Sequence, residues 1–128
     1  MGLMGFPTSV KAAGAVEVGA MTHQRDIEVS DLTRNRGTIG GSLCHLDPAA
    51  EIVLVAGVHD ATMVVEGPNG RREIPFLAFP VAFMTPSIEP DEIVTAIRFP
   101  LWAAGHRTAF VEFARRHRDF AIVSAAVC

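Results

Sequence analysis

Apolar and polar positions alternate from Ala15 to Ala20, with Val16 and Val18 on one face and Glu17 on the other, which predicts a short strand. The residues ahead of it are small and poorly patterned, so 1–14 read as a flexible N-terminal segment. Thr22 opens a polar stretch, His23 to Leu32, anchored by Ile27 and Leu32, and a short helix with Thr22 as N-cap fits it. Arg34 to Ser42, with glycines at 37, 40 and 41, reads as a loop. The clearest helix start follows. Asp47 can cap free N–H groups, and Pro48 suits a first helical position that needs no N–H. Ala49 to Ala56 favour a helix, and Gly57 supplies a stop. Glu51 falls in the first turn, where a negative charge favours the helix dipole.

Strand and turn chemistry dominate the rest. Ala61 to Glu66 is apolar and β-branched, Gly67-Pro68-Asn69-Gly70 is a tight turn, and Arg71 to Ile74 returns as a hairpin. Pro75 to Pro90 carries four prolines and three phenylalanines and reads as a loop with hydrophobic plugs. Glu92 to Phe99 predicts a strand ended by Pro100, with Trp102 to Arg107 as a connection. Thr108 to Ala114 alternates, with Phe110 and Glu112 on one face and Val111 and Phe113 on the other. Phe120 to Val127 is a last apolar strand. This order favours an α+β fold with a mostly antiparallel sheet and a few helices.

Composition narrows the function. A chain of 128 residues, 49% hydrophobic and 20% charged, is long enough for one domain with a real core. A net charge of −3 argues against nucleic acid as a partner. Basic clusters at Arg34/Arg36 and Arg71-Arg72 read as solvated surface; the run Arg115 to Arg118 reads either as solvated or as a partner-facing patch. No apolar run approaches the ~20 residues of a membrane span, and the N-terminus lacks the apolar core of a signal peptide. Cys44 and Cys128 cannot form a CxxC pair and give no iron–sulfur or zinc site, so free thiols in the cytoplasm are expected. The five histidines are scattered without nucleophile partners.

One segment carries chemistry. The adjacent glycines of Thr38-Ile39-Gly40-Gly41-Ser42 would let a ligand approach backbone N–H groups, with hydroxyls on either side. The five residues alone are compatible with a pyrophosphate nest or with an ordinary turn. They fit neither GxGxxG nor the P-loop pattern.

The wider string is more specific. Arg34-Asn35-Arg36-Gly37-Thr38-Ile39-Gly40-Gly41-Ser42-Leu43, His45 and Asp47-Pro48-Ala49-Ala50-Glu51 resemble the signature of the molybdopterin dehydrogenase FAD-binding domain. Val18-Gly19-Ala20-Met21-Thr22-His23 with Ile27-Glu28 and Ser30 is similar to the family's upstream segment. Glu89-Pro90-Asp91-Glu92-Ile93-Val94-Thr95-Ala96-Ile97 and Phe110-Val111-Glu112-Phe113-Ala114-Arg115-Arg116 with Asp119-Phe120-Ala121-Ile122-Val123 resemble its downstream segments. The resemblance covers 15–128 in order. Its style is that of the carbon monoxide dehydrogenase medium chains, and it implies the second subdomain of their FAD-binding fold.

The resemblance implies roles. The loop from Thr38 through Ile39 and Gly40 would hold the FAD pyrophosphate, with donors from Thr38, Gly41 and Ser42. His45 would lie near the ribityl chain, Ala50 and Glu51 near the ribityl and flavin ring, and Ile93 and Val94 against the isoalloxazine or adenine side. Partners would be an iron–sulfur small subunit and a molybdopterin large subunit, with the flavin relaying electrons to an external acceptor. The runner-up is a non-catalytic assembly or remnant module of the same fold that no longer holds FAD. Two departures bear on the choice. The family's other glycine-rich pyrophosphate loop has no counterpart in this sequence, and Thr33 directly joins segments that the family separates by a helix-length stretch. Weak or no FAD binding by this chain alone is expected. So is apolar surface that drives association with itself or a partner.

Overall fold

The structure is a computed structural model and describes residues 9–12, 14–23, 37–116 and 120–128. The alternating segment at Ala15 forms strand β2 (Ala15–Gly19), and the hairpin segments form β3 (Thr62–Gly67) and β4 (Gly70–Pro75). Gly70, at φ +99°, takes the left-handed turn position for which glycine carries no Cβ penalty. Strand β7 (Ile93–Pro100) sits between β2 and β3. With β1 (Ser9–Ala12), which falls inside the segment read as loose, they make a five-stranded sheet in the order β1-β2-β7-β3-β4. Every pairing in it is antiparallel. Among the described residues two α-helices, α1 (Ile39–His45) and α2 (Glu51–Val58), complete an α+β fold.

One face of the sheet meets the helices. Val18, Met63, Val65, Ile74, Val94 and Ile97 pack there with Ile39, Leu43, Leu46 and Ala56. A register shift makes this possible. Val64 pairs with Ala96 and Val65 with Val94, so Thr95 is the extra residue of a β-bulge. The bulge puts Val94 and Ile97, three positions apart, on the same buried face. The opposite face carries Glu17, Arg98 and Glu73. Arg98 Nε donates to Glu17 Oε2 at 2.7 Å, and Arg98 Nη1 pairs with Glu73 Oε1.

Several expectations change. Ile39–His45 was read as loop up to Ser42 but is helical, because Thr38 caps it and packing against the sheet outweighs two glycines. Asp47 caps a turn rather than a helix: its Oδ1 accepts from Ala49 N at 2.9 Å and its carbonyl from Ala50 N at 2.9 Å. The helix then starts at Glu51, with Ala50 as N-cap. Gly57 does not stop α2 but lies within it, where a Cβ would come to 3.0 Å of Phe76 Cε1. The proline-rich stretch holds a 3-10 turn (Phe76–Ala78) and a small ribbon of β5 (Pro80–Ala82) and β6 (Thr85–Pro86). Of its phenylalanines, Phe79 is fully buried and Phe83 is exposed. The helix expected from His23 to Leu32 lies outside the described residues apart from His23, which bridges Thr38.

The last strands, β8 (Ala109–Phe113) and β9 (Val123–Val127), pair only with each other. All five β8 residues are exposed, so Phe110, Val111 and Phe113 are bare on both faces of the alternation. Arg115 and Arg116 are exposed as well. The connection before the hairpin is clasped by rings: Trp102 stacks on His59 at 4.1 Å and meets His106 edge-on at 4.8 Å. Burial pushes the His59 imidazole pKa down.

Candidate functional site

Thr38 and the first turn of α1 are built against β2. Thr38 Oγ1 accepts from Gly41 N at 3.1 Å, which caps the helix. Ile39 N donates to Thr22 O at 3.1 Å, Gly40 N to Ala20 O at 2.9 Å, and Ser42 N to Thr38 O at 3.0 Å. All four backbone donors from Ile39 to Ser42 are therefore engaged within the fold. The nest expectation had these N–H groups facing a ligand; in the fold each has an internal acceptor. What the turn offers is hydroxyl chemistry. A threonine oxygen that accepts from Gly41 still carries its own proton to donate, and the half-buried Ser42 adds a second hydroxyl. Both hydroxyls can donate, so the residues would fit a pyrophosphate through side chains.

The two glycines divide their work. Gly40 is buried, and a Cβ on it would sit 2.6 Å from Ala20 Cβ and 2.9 Å from Ala20 O. Its role is close packing of helix on strand. Gly41 is exposed, and a Cβ there would meet only Thr38 Oγ1, at 2.9 Å. Gly41 leaves the turn bare beside the hydroxyl. Ala20 in turn donates to Thr95 O at 3.0 Å, which ties this turn to the bulged start of β7.

The remaining expected residues spread around this turn. His45 is exposed at the far end of α1, about 10 Å along the axis by helical rise. Leu46, at φ +51°, turns the chain toward α2, where Ala50 caps and Glu51 is exposed in the first turn. Ile93 and Val94 face opposite ways. Ile93 is 69% exposed, whereas Val94 is 6% exposed and belongs to the core, because neighbours on a strand face opposite ways. Ile39 is likewise core, at 2%.

Sequence reasoning missed the ion pair next to Ile93 in the chain. Arg72 reaches both oxygens of Glu92, Nε to Oε1 at 2.7 Å and Nη2 to Oε2 at 2.6 Å, and donates to Ser87 O at 2.9 Å. Glu92 Oε2 also accepts from Glu89 N at 2.8 Å. The Arg72 hydrogen bond, then that backbone N–H, hold the Glu92 carboxyl down from its ordinary 4.5 to about 2. A carboxyl depressed in the fold stabilises it above the unfolded value and loses that contribution as pH falls toward the folded one. Solvent screens a pair at the surface, so the melting-temperature gap between the wild type and Glu92→Gln is expected to be small; it is present above pH 4.5 and closes as pH drops toward about 2, which a pH series of thermal melts at low salt reads.

Among the described residues no group of three or more His, Cys, Asp or Glu could hold a metal ion, and no helix is long and apolar enough to cross a membrane. Residues 6–102 match the family model described as the FAD binding domain in molybdopterin dehydrogenase. The chain is 44% identical over 93 residues to the 6-hydroxypseudooxynicotine dehydrogenase complex subunit alpha of Paenarthrobacter nicotinovorans, covering 73% of this chain and 31% of that protein. It is 31% identical over 131 residues to the carbon monoxide dehydrogenase medium chain of Hydrogenophaga pseudoflava, covering 88% of this chain and 46% of that one. A solved structure of carbon monoxide dehydrogenase from that organism, lacking the Mo-pyranopterin moiety of the molybdenum cofactor, matches with a TM-score of 0.85 at 31% identity. That match covers 92% of this chain and 48% of the solved one. The chain thus spans about half, or less, of the length of these relatives. With the capped glycine turn, the antiparallel sheet and the sequence match in agreement, this chain belongs to the family of FAD-binding domains of molybdopterin dehydrogenases.

Proposed function

We propose that this chain is the flavin-holding part of a medium subunit in a molybdenum-containing oxidoreductase, relaying electrons from iron–sulfur clusters to an external acceptor. The observation that carries this reading is the Thr38 to Ser42 turn, lying inside the family match with its two hydroxyls beside an exposed glycine. When bound, FAD supplies the redox chemistry. The chain's own residues do the rest. Thr38 and Ser42 donate hydroxyl protons to phosphate oxygens, and Gly41 leaves room for them. His45, Ala50 and Glu51 line the way to the ribityl chain. Ile93 excludes water from the ring, and Val94 backs it from the core.

Partners follow from the same reading: an iron–sulfur subunit and a molybdopterin subunit. The medium chain and complex subunit matched above support a multi-subunit setting. The bare hairpin of β8 and β9 supports an apolar contact with a partner or a second copy.

The test is a flavin titration followed by fluorescence quenching. Weak saturable binding is expected, with a dissociation constant on the order of 10–100 µM, and Ser42→Ala weakens it by roughly three- to tenfold through one lost hydrogen bond. Tight stoichiometric binding would overturn the expectation of a weak site, and a flat titration would favour the second reading below. One observation favours the second reading, an assembly module that no longer holds FAD: the first-turn N–H groups of α1 are all engaged internally. Purified protein without flavin absorbance, and unresponsive to added FAD, would identify that module.

A further inference from the structure

We propose that Arg72 and Glu92 form a positioning pair that fixes the exposed side chain of Ile93 as the apolar wall of the flavin site. This rests on the flavin reading of Ile93 given above and adds what holds it there. Ile93 opens β7 after a stretch, 87–92, with no helix or strand of its own. The pairing of Ile93 with Glu66 of β3 fixes its backbone on one side only, because the stretch that leads into it has no strand partner. That stretch is tied down at each step. Arg72 grips Ser87 O and both Glu92 oxygens, the Glu92 carboxylate closes on Glu89 N, and Glu92 N donates to Glu89 O at 3.0 Å.

The fold also makes room for the clamp. A Cβ on Gly67 would stand 2.8 Å from Glu92 Cγ, so the glycine of the β3–β4 turn is the notch in which the Glu92 side chain lies. Ion pairs near the surface contribute little to global stability. A bidentate guanidinium–carboxylate pair, by contrast, sets direction sharply. The pair therefore acts on geometry: it holds an isoleucine that stands 69% exposed at one fixed place at the start of the central strand. Arg72 and Glu92 act through Ile93 and touch no flavin atom themselves.

The experiment compares FAD with ADP, which carries the pyrophosphate and adenosine but no isoalloxazine ring. Affinities of both, and the visible circular dichroism of bound flavin, are measured for the wild type, Arg72→Met, Arg72→Lys, Ile93→Ala and Arg98→Met. Arg98→Met breaks an ion pair on the same strand that does not touch 87–93. Arg72→Met and Ile93→Ala are expected to weaken FAD by about tenfold and to alter the flavin dichroism alike, leaving ADP unchanged. Arg72→Lys falls between, since a point charge cannot bridge both oxygens. Arg98→Met matches the wild type. If Arg72→Met binds FAD as the wild type does, or loses ADP in proportion, the positioning role is overturned. If the wild type binds ADP but not FAD, or neither, it is the flavin reading that fails, and this proposal with it.

Discussion

Phe79→Ala is expected to destabilise this domain by about 3–5 kcal/mol, the range for emptying a large buried aromatic site. Phe79 is fully buried in the core cluster although it lies in a stretch with four prolines. Two backbone bonds keep it there: Phe79 N donates to Phe76 O at 3.0 Å, and Phe79 O accepts from Ser87 N at 2.7 Å. The cavity cannot collapse easily, because the 3-10 turn on one side and β5 on the other hold the backbone. Urea denaturation gives the number. Phe83→Ala is the matched control, since Phe83 is 77% exposed and its loss should stay within about 0.5 kcal/mol. Equal midpoints for the two variants would mean that the stretch is not part of the core.

Gly40→Ala is expected to be nearly as severe, at roughly 3 kcal/mol, by overpacking together with strain on a backbone hydrogen bond. The added carbon would meet Ala20 Cβ at 2.6 Å, Ala20 O at 2.9 Å and Ala20 Cα at 3.1 Å. No rotamer relieves those contacts. The Gly40 N to Ala20 O bond at 2.9 Å would lengthen as helix and strand separate. The neighbouring Gly41→Ala should behave differently. Its new carbon meets only the Thr38 hydroxyl, which can rotate away. Losing that cap costs about 1 kcal/mol, and the better helix propensity of alanine offsets it by a similar amount. Thermal melts of the two variants should therefore separate clearly, and coincident melts would refute the packing role assigned to Gly40.

The sheet was the legible part of this sequence. Val16 and Val18 against Glu17, the Gly67 to Gly70 turn and the apolar run ending at Pro100 follow local rules, and the structure keeps all three. The face of each residue in β7 was not legible, because the Thr95 bulge is decided by pairing with β3. That is why Val94 and Ile97, three positions apart, share a buried face; Ile93 and Val94 are separated by simple alternation. In the candidate site, the string from Thr38 to Ser42 could be read, but its backbone geometry could not. Two adjacent glycines suggest a loop until a distant strand supplies Ala20 and Thr22 as acceptors. Arg72 and Glu92 lay beyond reach for the same reason: their meeting across twenty residues is a property of the fold. The β8 pattern was alternating, yet alternation shows only that two faces differ, and all five β8 residues are exposed.

That last ribbon has a consequence for cooperativity. The unfolding free energy of a region follows the apolar surface it removes from water, and an isolated two-stranded hairpin is marginal on its own. Residues 109–113 and 123–127 leave most of their large side chains in solvent, whereas 62–67 and 93–100 enclose the centre of the core. The chain is therefore expected to have two thermodynamic tiers: a block enclosed by the core, and a ribbon that rests on α2 through β9 and opens at lower cost until another surface closes over it.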